Sequence, residues 1–237
     1  MLKEFFLGFA MIIGFFALCA VTVFTIRLNT NIPDEWNRKL IHVFPVASIL
    51  VWIHGFQTWW VSAASALVFI ALIYPIITVV DKHPRFAFLA SERKHGEVRQ
   101  SLVLLFGTYA LLITVCWGLL GEKWLAVAAV FAWGFGDAAA ALIGKKYGKH
   151  HFNSPLIEEG KSVEGSAAMF IVSFVSVLAV MLIYGKLHWY AYVPIAAVTA
   201  LLSAAVELIS KHGLDTVTCP LSAMALLIPL VRLWGAL

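Results

Sequence analysis

The chain has 237 residues, of which 62% are hydrophobic and 13% charged, with a mean hydropathy of +0.90. A soluble domain carries about 45–50% apolar residues, so this composition excludes one and leaves no length for a separate soluble domain beside a membrane unit. The net charge of +4 does not point to nucleic acid, because the lysines and arginines follow the loops between apolar runs.

Eight apolar runs are predicted to cross a bilayer: 5–26, 36–53, 59–80, 101–120, 124–143, 163–184, 189–209 and 217–236. Most reach the roughly 20 residues that span about 30 Å of hydrocarbon. The first is too long for a signal-peptide core and Lys3-Glu4 is a poor basic leader, so it reads as a retained anchor. The second is the weakest. Its strictly apolar part, Leu40 to Ile53, is short and contains Pro45, which leaves crossing and re-entrant readings open.

That second run opens with Arg38-Lys39-Leu-Ile-His42. Arg38 and His42 are four apart and share a helical face. The group reads either as functional or as an interfacial anchor with a packed histidine. Residues 81–100 form the most charged loop, mostly a solvated face, and Glu97 precedes the fourth run. His83, His95, His150 and His151 lack the thiolates and spacing of a zinc site. Trp59, Trp60, Trp124 and Trp189 fit an interfacial belt.

The fifth run, Trp124 to Ile143, contains Asp137. An ionised carboxylate there costs roughly 3 kcal/mol on insertion scales, so it is retained for a reason. A loop follows, Gly144-Lys145-Lys146-Tyr147-Gly148-Lys149, which reads either as a helix C-cap with dipole-complementing lysines or as part of a phosphate site. Gly160-Lys161-Ser162 then leads into the sixth run, where Glu164 and Gly165 stand in the first turn. Free amides at a helix start, beside a lysine and a hydroxyl, make a phosphate cradle. The spacing is not that of a Walker A loop. Glu164 alone also reads as a carboxylate facing the helix dipole.

Glu207 interrupts the seventh run near its end, and Gly213-Leu-Asp215 precedes the eighth, whose Pro220 and Pro229 predict a kinked or partly broken helix. Asp137, Glu164, Glu207 and Asp215 can supply hard oxygen ligands for Mg²⁺, which takes one or two carboxylates plus substrate phosphates. Cys19, Cys116 and Cys219 show no metal or disulfide spacing and read as small core residues.

With the N-terminus outside and eight crossings, 13 of the 17 lysines and arginines fall on the cytoplasmic side and 4 outside. That is a strong positive-inside bias. If the second run does not cross, the division becomes 11 against 6. The eight-span topology also gathers Arg38, Lys39, His42, Asp137, Glu164, Glu207 and Asp215 at the cytoplasmic face, with Asp137 roughly 9 Å below it. The expected fold is an all-α polytopic membrane helix bundle, a single integral membrane catalytic domain over 1–237.

Arg38-Lys39-x-x-His42, Gly136-Asp137-Ala-Ala-Ala-Ala-Leu-Ile-Gly144-Lys-Lys-Tyr-Gly148-Lys and Gly160-Lys161-Ser162-Val-Glu164-Gly165-Ser together resemble the polyprenol kinase family. That family groups dolichol kinases, phytol kinases and CTP-dependent diacylglycerol kinases. The resemblance spans residues 38–220 and implies phosphorylation of a membrane lipid alcohol by CTP with Mg²⁺. It implies catalytic roles for Asp137 and Glu164, and nucleotide contacts from Arg38, Lys39, Gly144, Lys145, Gly148, Lys161, Ser162 and Gly165. Metal ligation falls to Asp137, Glu207 and Asp215, and His42 and Glu97 are further candidate site residues without an assigned role. The family often has Asp-Asn before its final helix, whereas here Thr216 follows Asp215. The same block is similar to phosphatidate cytidylyltransferases, but this chain lacks their longer C-terminal His-Gly-Gly…Asp-Arg signature. A transporter or non-catalytic lipid-binding protein is the alternative of a different class. The expected location is a prokaryotic plasma membrane.

Overall fold

The computed structural model describes residues 1–80, 82–83, 96–185, 187–211 and 213–234. Asp81, Arg85, Arg93, Lys94, His95 and Lys186 lie outside the described residues. The chain divides into two compact units, Met1–Gly118 and Leu119–Leu237. Regular structure among the described residues is helical, apart from an isolated antiparallel bridge between His151 and Ser162.

The first unit begins with α1, Leu2–Asn29, an apolar helix with Glu4 in its first turn and Arg27 in its last, each complementing the helix dipole. The second predicted run appears as two pieces, α2 (Asp34–Ala47) and α3 (Ile49–His54). The break at Ser48 has a tertiary cause. The buried Tyr109 hydroxyl donates to the carbonyls of Pro45 (2.8 Å) and Val46 (3.2 Å), and Ser48 Oγ donates to Pro45 O at 2.6 Å. A side chain inserted into the ladder interrupts a helix in this way.

Despite the break, the segment runs the full length of α1. At one end Arg27 pairs with Asp34 at 2.5 Å. At the other, Glu4 Oε1 accepts from the Gln57 and Thr58 amides at 2.9 and 2.8 Å and from the Thr58 hydroxyl at 2.6 Å. Residues 34–54 rise about 31 Å at helical pitch, enough to traverse the hydrocarbon.

α4 (Trp59–Val80) and α5 (Glu97–Leu112), which continues as a π-helical stretch Ile113–Leu119, complete this unit. Its core is aromatic: Phe69 and Phe106 meet edge to face with centroids 4.9 Å apart, and Trp52 joins Phe106 at 5.7 Å.

The second unit is built on α6, Lys123–Tyr147, against which α7 (Val163–Tyr184), α8 (Trp189–Ile209) and α9 (Asp215–Leu233) all pack. Being apolar all round, α6 is the helix that belongs inside, and nearly every residue from Trp124 to Trp133 is buried. Trp124 is one of them, its indole donating to Glu122 at 2.8 Å, so it does not join an exposed aromatic belt. Outward side chains such as Ile171, Val175, Leu182 and Leu201 leave apolar surface of the kind lipid covers.

Among the described residues seven helices are each long and apolar enough to cross a membrane, and the broken α2–α3 segment is long enough for an eighth traverse. The structure departs from the sequence expectation at two helix ends. α6 does not stop at Ile143 but continues through Gly144, Lys145, Lys146 and Tyr147, because lysine and tyrosine extend a helix and basic side chains suit its last turn. α9 keeps Pro220 and Pro229 inside one continuous helix, as neighbouring helices in a membrane bundle permit.

Candidate active site

One end of the second unit is formed by the last turns of α6 and α8 and the first turns of α7 and α9. Three carboxylates lie there within electrostatic reach of one another. Glu207 is buried in the last turns of α8, and the charges of Asp137 on α6 and Asp215 at the head of α9 both bear on it. Lys161, just before α7, sets its ammonium 3.0 Å from Glu207 Oε1. The same ammonium donates to the main-chain oxygens of Glu207 and of Ser210, the latter at 3.0 Å, and so closes the end of α8. Trp133, one helical turn before Asp137, donates its indole N–H to Asp215 Oδ2 at 3.1 Å.

Three carboxylates facing one ammonium leave this inner cluster acidic, while Lys145, Lys146 and Lys149 lie exposed around it. Among the described residues, no three His, Cys, Asp or Glu side chains already converge on a metal position. The donors are nevertheless the hard oxygens that Mg²⁺ selects, and an ion delivered with a triphosphate needs only one or two of them. The residues present therefore fit Mg²⁺ carried in by a nucleotide.

Gly144, Gly148, Ser162 and Gly165 come together as a close crossing of α6 and α7. A Cβ on Gly165 would sit 2.9 Å from Ala140 O and 3.3 Å from Gly144 Cα. One on Gly148 would sit 2.8 Å from Ser162 Oγ. The amides that the sequence leaves open at the start of α7 are largely engaged. Val163 N donates to His150 O at 2.9 Å and Gly165 N to Ser162 Oγ at 3.1 Å. The cause is a hairpin the sequence does not announce. Residues 149–162 fold back so that Phe152 N reaches Lys161 O at 3.2 Å, and Lys211 Nζ ties Pro155 O at 2.5 Å.

Glu164 faces that hairpin. Its Oε1 lies 2.7 Å from His150 Nδ1, and its Oε2 accepts the His150 amide at 3.3 Å. Lys145, Lys146 and Lys149 are exposed, with Lys146 lying over the Tyr147 ring.

The remaining predicted residues belong to the first unit. Arg38 is held by Glu35 and by Glu97, 3.5 Å away. Lys39 is buried and His42 half-buried on the same helix.

Three partners escaped the sequence reading. Glu35 stands three residues before Arg38, a spacing that signals a helical ion pair. Trp133 stands four before Asp137, which offers a weaker signal. Nothing local points to His150.

The chain is 30% identical over 200 residues to the phytol kinase of Synechocystis sp. (strain ATCC 27184 / PCC 6803 / Kazusa), a match covering 83% of this chain and 79% of that protein. No protein-family profile matches the chain. No solved structure matches it.

Proposed function

The chain belongs to the polyprenol and phytol kinase family, and from that premise we propose that it phosphorylates the hydroxyl of a membrane lipid alcohol. In this reading the donor is CTP and the site faces the cytoplasm. The observation that carries it is the meeting of Asp137, Glu207, Asp215 and Lys161 at one end of a membrane-spanning unit. Carboxylates within membrane helices are costly unless a cation or a reaction requires them, and Glu207 is buried as well.

Mg²⁺, held by Asp137 and Asp215 when bound with the nucleotide, would offset the charge of the triphosphate oxygens. The protein's own groups do the rest. Lys161 keeps the Glu207 carboxylate and the end of α8 in place. The exposed Lys145, Lys146 and Lys149 provide a positive approach for the nucleotide. The lipid hydroxyl oxygen attacks the terminal phosphorus in line, and its bond to the bridging oxygen breaks. The hydroxyl proton passes to a carboxylate of this cluster, and the nucleoside diphosphate leaves. The lipid tail lies along the exposed apolar faces of the helices.

The test is the full-length protein in lipid vesicles, given CTP or ATP labelled at either the terminal or the α phosphate. Phytol, a longer polyprenol, diacylglycerol and phosphatidic acid are offered in turn. Terminal label on a lipid alcohol is the expected result. α label on phosphatidic acid would establish a cytidylyltransferase instead, and no labelled lipid at all would reject both.

A further inference from the structure

We propose that Trp133 is a positioning residue whose indole N–H holds the Asp215 carboxylate against the face of α6 that carries Asp137. The inference rests on the kinase reading and deepens it. Trp133 is only 1% exposed, and its Nε1 lies 3.1 Å from Asp215 Oδ2. It sits one turn from Asp137 on the same face of α6, whereas Asp215 comes from a different helix 82 residues away in sequence.

A carboxylate at the first position of a helix has an easier alternative. It can fold back toward its own first-turn amides, where the dipole favours it. Leu214, the residue capping α9, has no side-chain acceptor, and Gly213 before it turns the chain with φ +77. Against that pull, the indole N–H holds Oδ2 of the carboxylate toward α6. An indole N–H donates and never accepts, so it orients the carboxylate without competing for a cation. Donation to a carboxylate in a half-buried setting is among the stronger hydrogen bonds. Trp133 thereby fixes how far Asp215 stands from Asp137 and Glu207, the spacing on which a shared cation depends.

The variant Trp133→Phe keeps the ring and deletes the donor. With vesicle-reconstituted protein, the Mg²⁺ concentration for half-maximal lipid phosphorylation should rise about tenfold, while KM for the lipid alcohol changes by less than about twofold. In an Asp215→Asn background the substitution should add no further shift, because its effect runs through Asp215. A loss that persists there, or that falls on lipid KM, would make Trp133 a packing residue and overturn the proposal. A second measurement is independent of turnover. Protein labelled with 5-fluorotryptophan has a ¹⁹F resonance assignable to Trp133 by its disappearance in Trp133→Phe. That resonance should move in Asp215→Asn, and an unmoved signal would also overturn the proposal. A moved signal in protein that phosphorylates no lipid would reject the kinase reading while leaving the contact standing.

Discussion

Lys161→Ala removes the ammonium that faces Glu207, and its consequence can be worked from the geometry. The charges lie 3.0 Å apart with side chains retaining only 16% and 11% of their exposure, so at an effective dielectric of 20 the gross attraction is about 5.5 kcal/mol. Desolvating both groups offsets roughly half of it, leaving a coupling of about 2–3 kcal/mol. The carbonyls of Glu207 and Ser210 also lose a charged donor, which adds about 1–2 kcal/mol. The single variant should thus be destabilised by about 3–5 kcal/mol. In a Glu207→Gln background the same substitution should be milder by the coupling term. Unfolding of wild type, both single variants and the double variant in mixed micelles measures this directly. Additivity within about 0.5 kcal/mol would refute the pair. The functional arm is separate: Lys161→Ala should lower activity or nucleotide affinity by about tenfold or more, and the exposed, solvent-screened Lys149→Ala clearly less. A larger loss at Lys149 would move the nucleotide to the hairpin's outer face.

Asp137→Asn should abolish lipid phosphorylation while the protein inserts normally, since neutralising it eases insertion by at most a few kcal/mol; normal turnover in properly inserted protein would remove Asp137 from the reaction. Single cysteines at Lys149 and Gly121 should label from opposite sides of the membrane, with 149 cytoplasmic, and the three native cysteines are buried and give little background; labelling from one side would discard the topology. Gly165→Ala should cost about 1–3 kcal/mol in micelle unfolding, because its Cβ meets Ala140 O and Gly144 Cα and drives α6 from α7; an unchanged midpoint would show that the helices do not cross there.

The sequence by itself determined where the membrane helices lie. The predicted runs 59–80, 163–184 and 189–209 are the observed α4, α7 and α8 residue for residue. In lipid an unsatisfied backbone is so costly that a long apolar run has only one outcome. It also marked Asp137 and Glu207, since a charge within such a run stands out against its neighbours. What only the tertiary structure decided is who meets whom. Tyr109 breaks the second span from 64 residues away, Lys161 closes the end of α8, and Trp133 reaches Asp215 across 82 residues. Gly144, Gly148 and Gly165 carry the same local signal for an anion loop as for a close helix crossing, and only the neighbouring backbone distinguishes them. Periodicity and hydropathy are properties of a segment and its solvent. A hydrogen bond between two helices depends on their packing, which no single segment encodes.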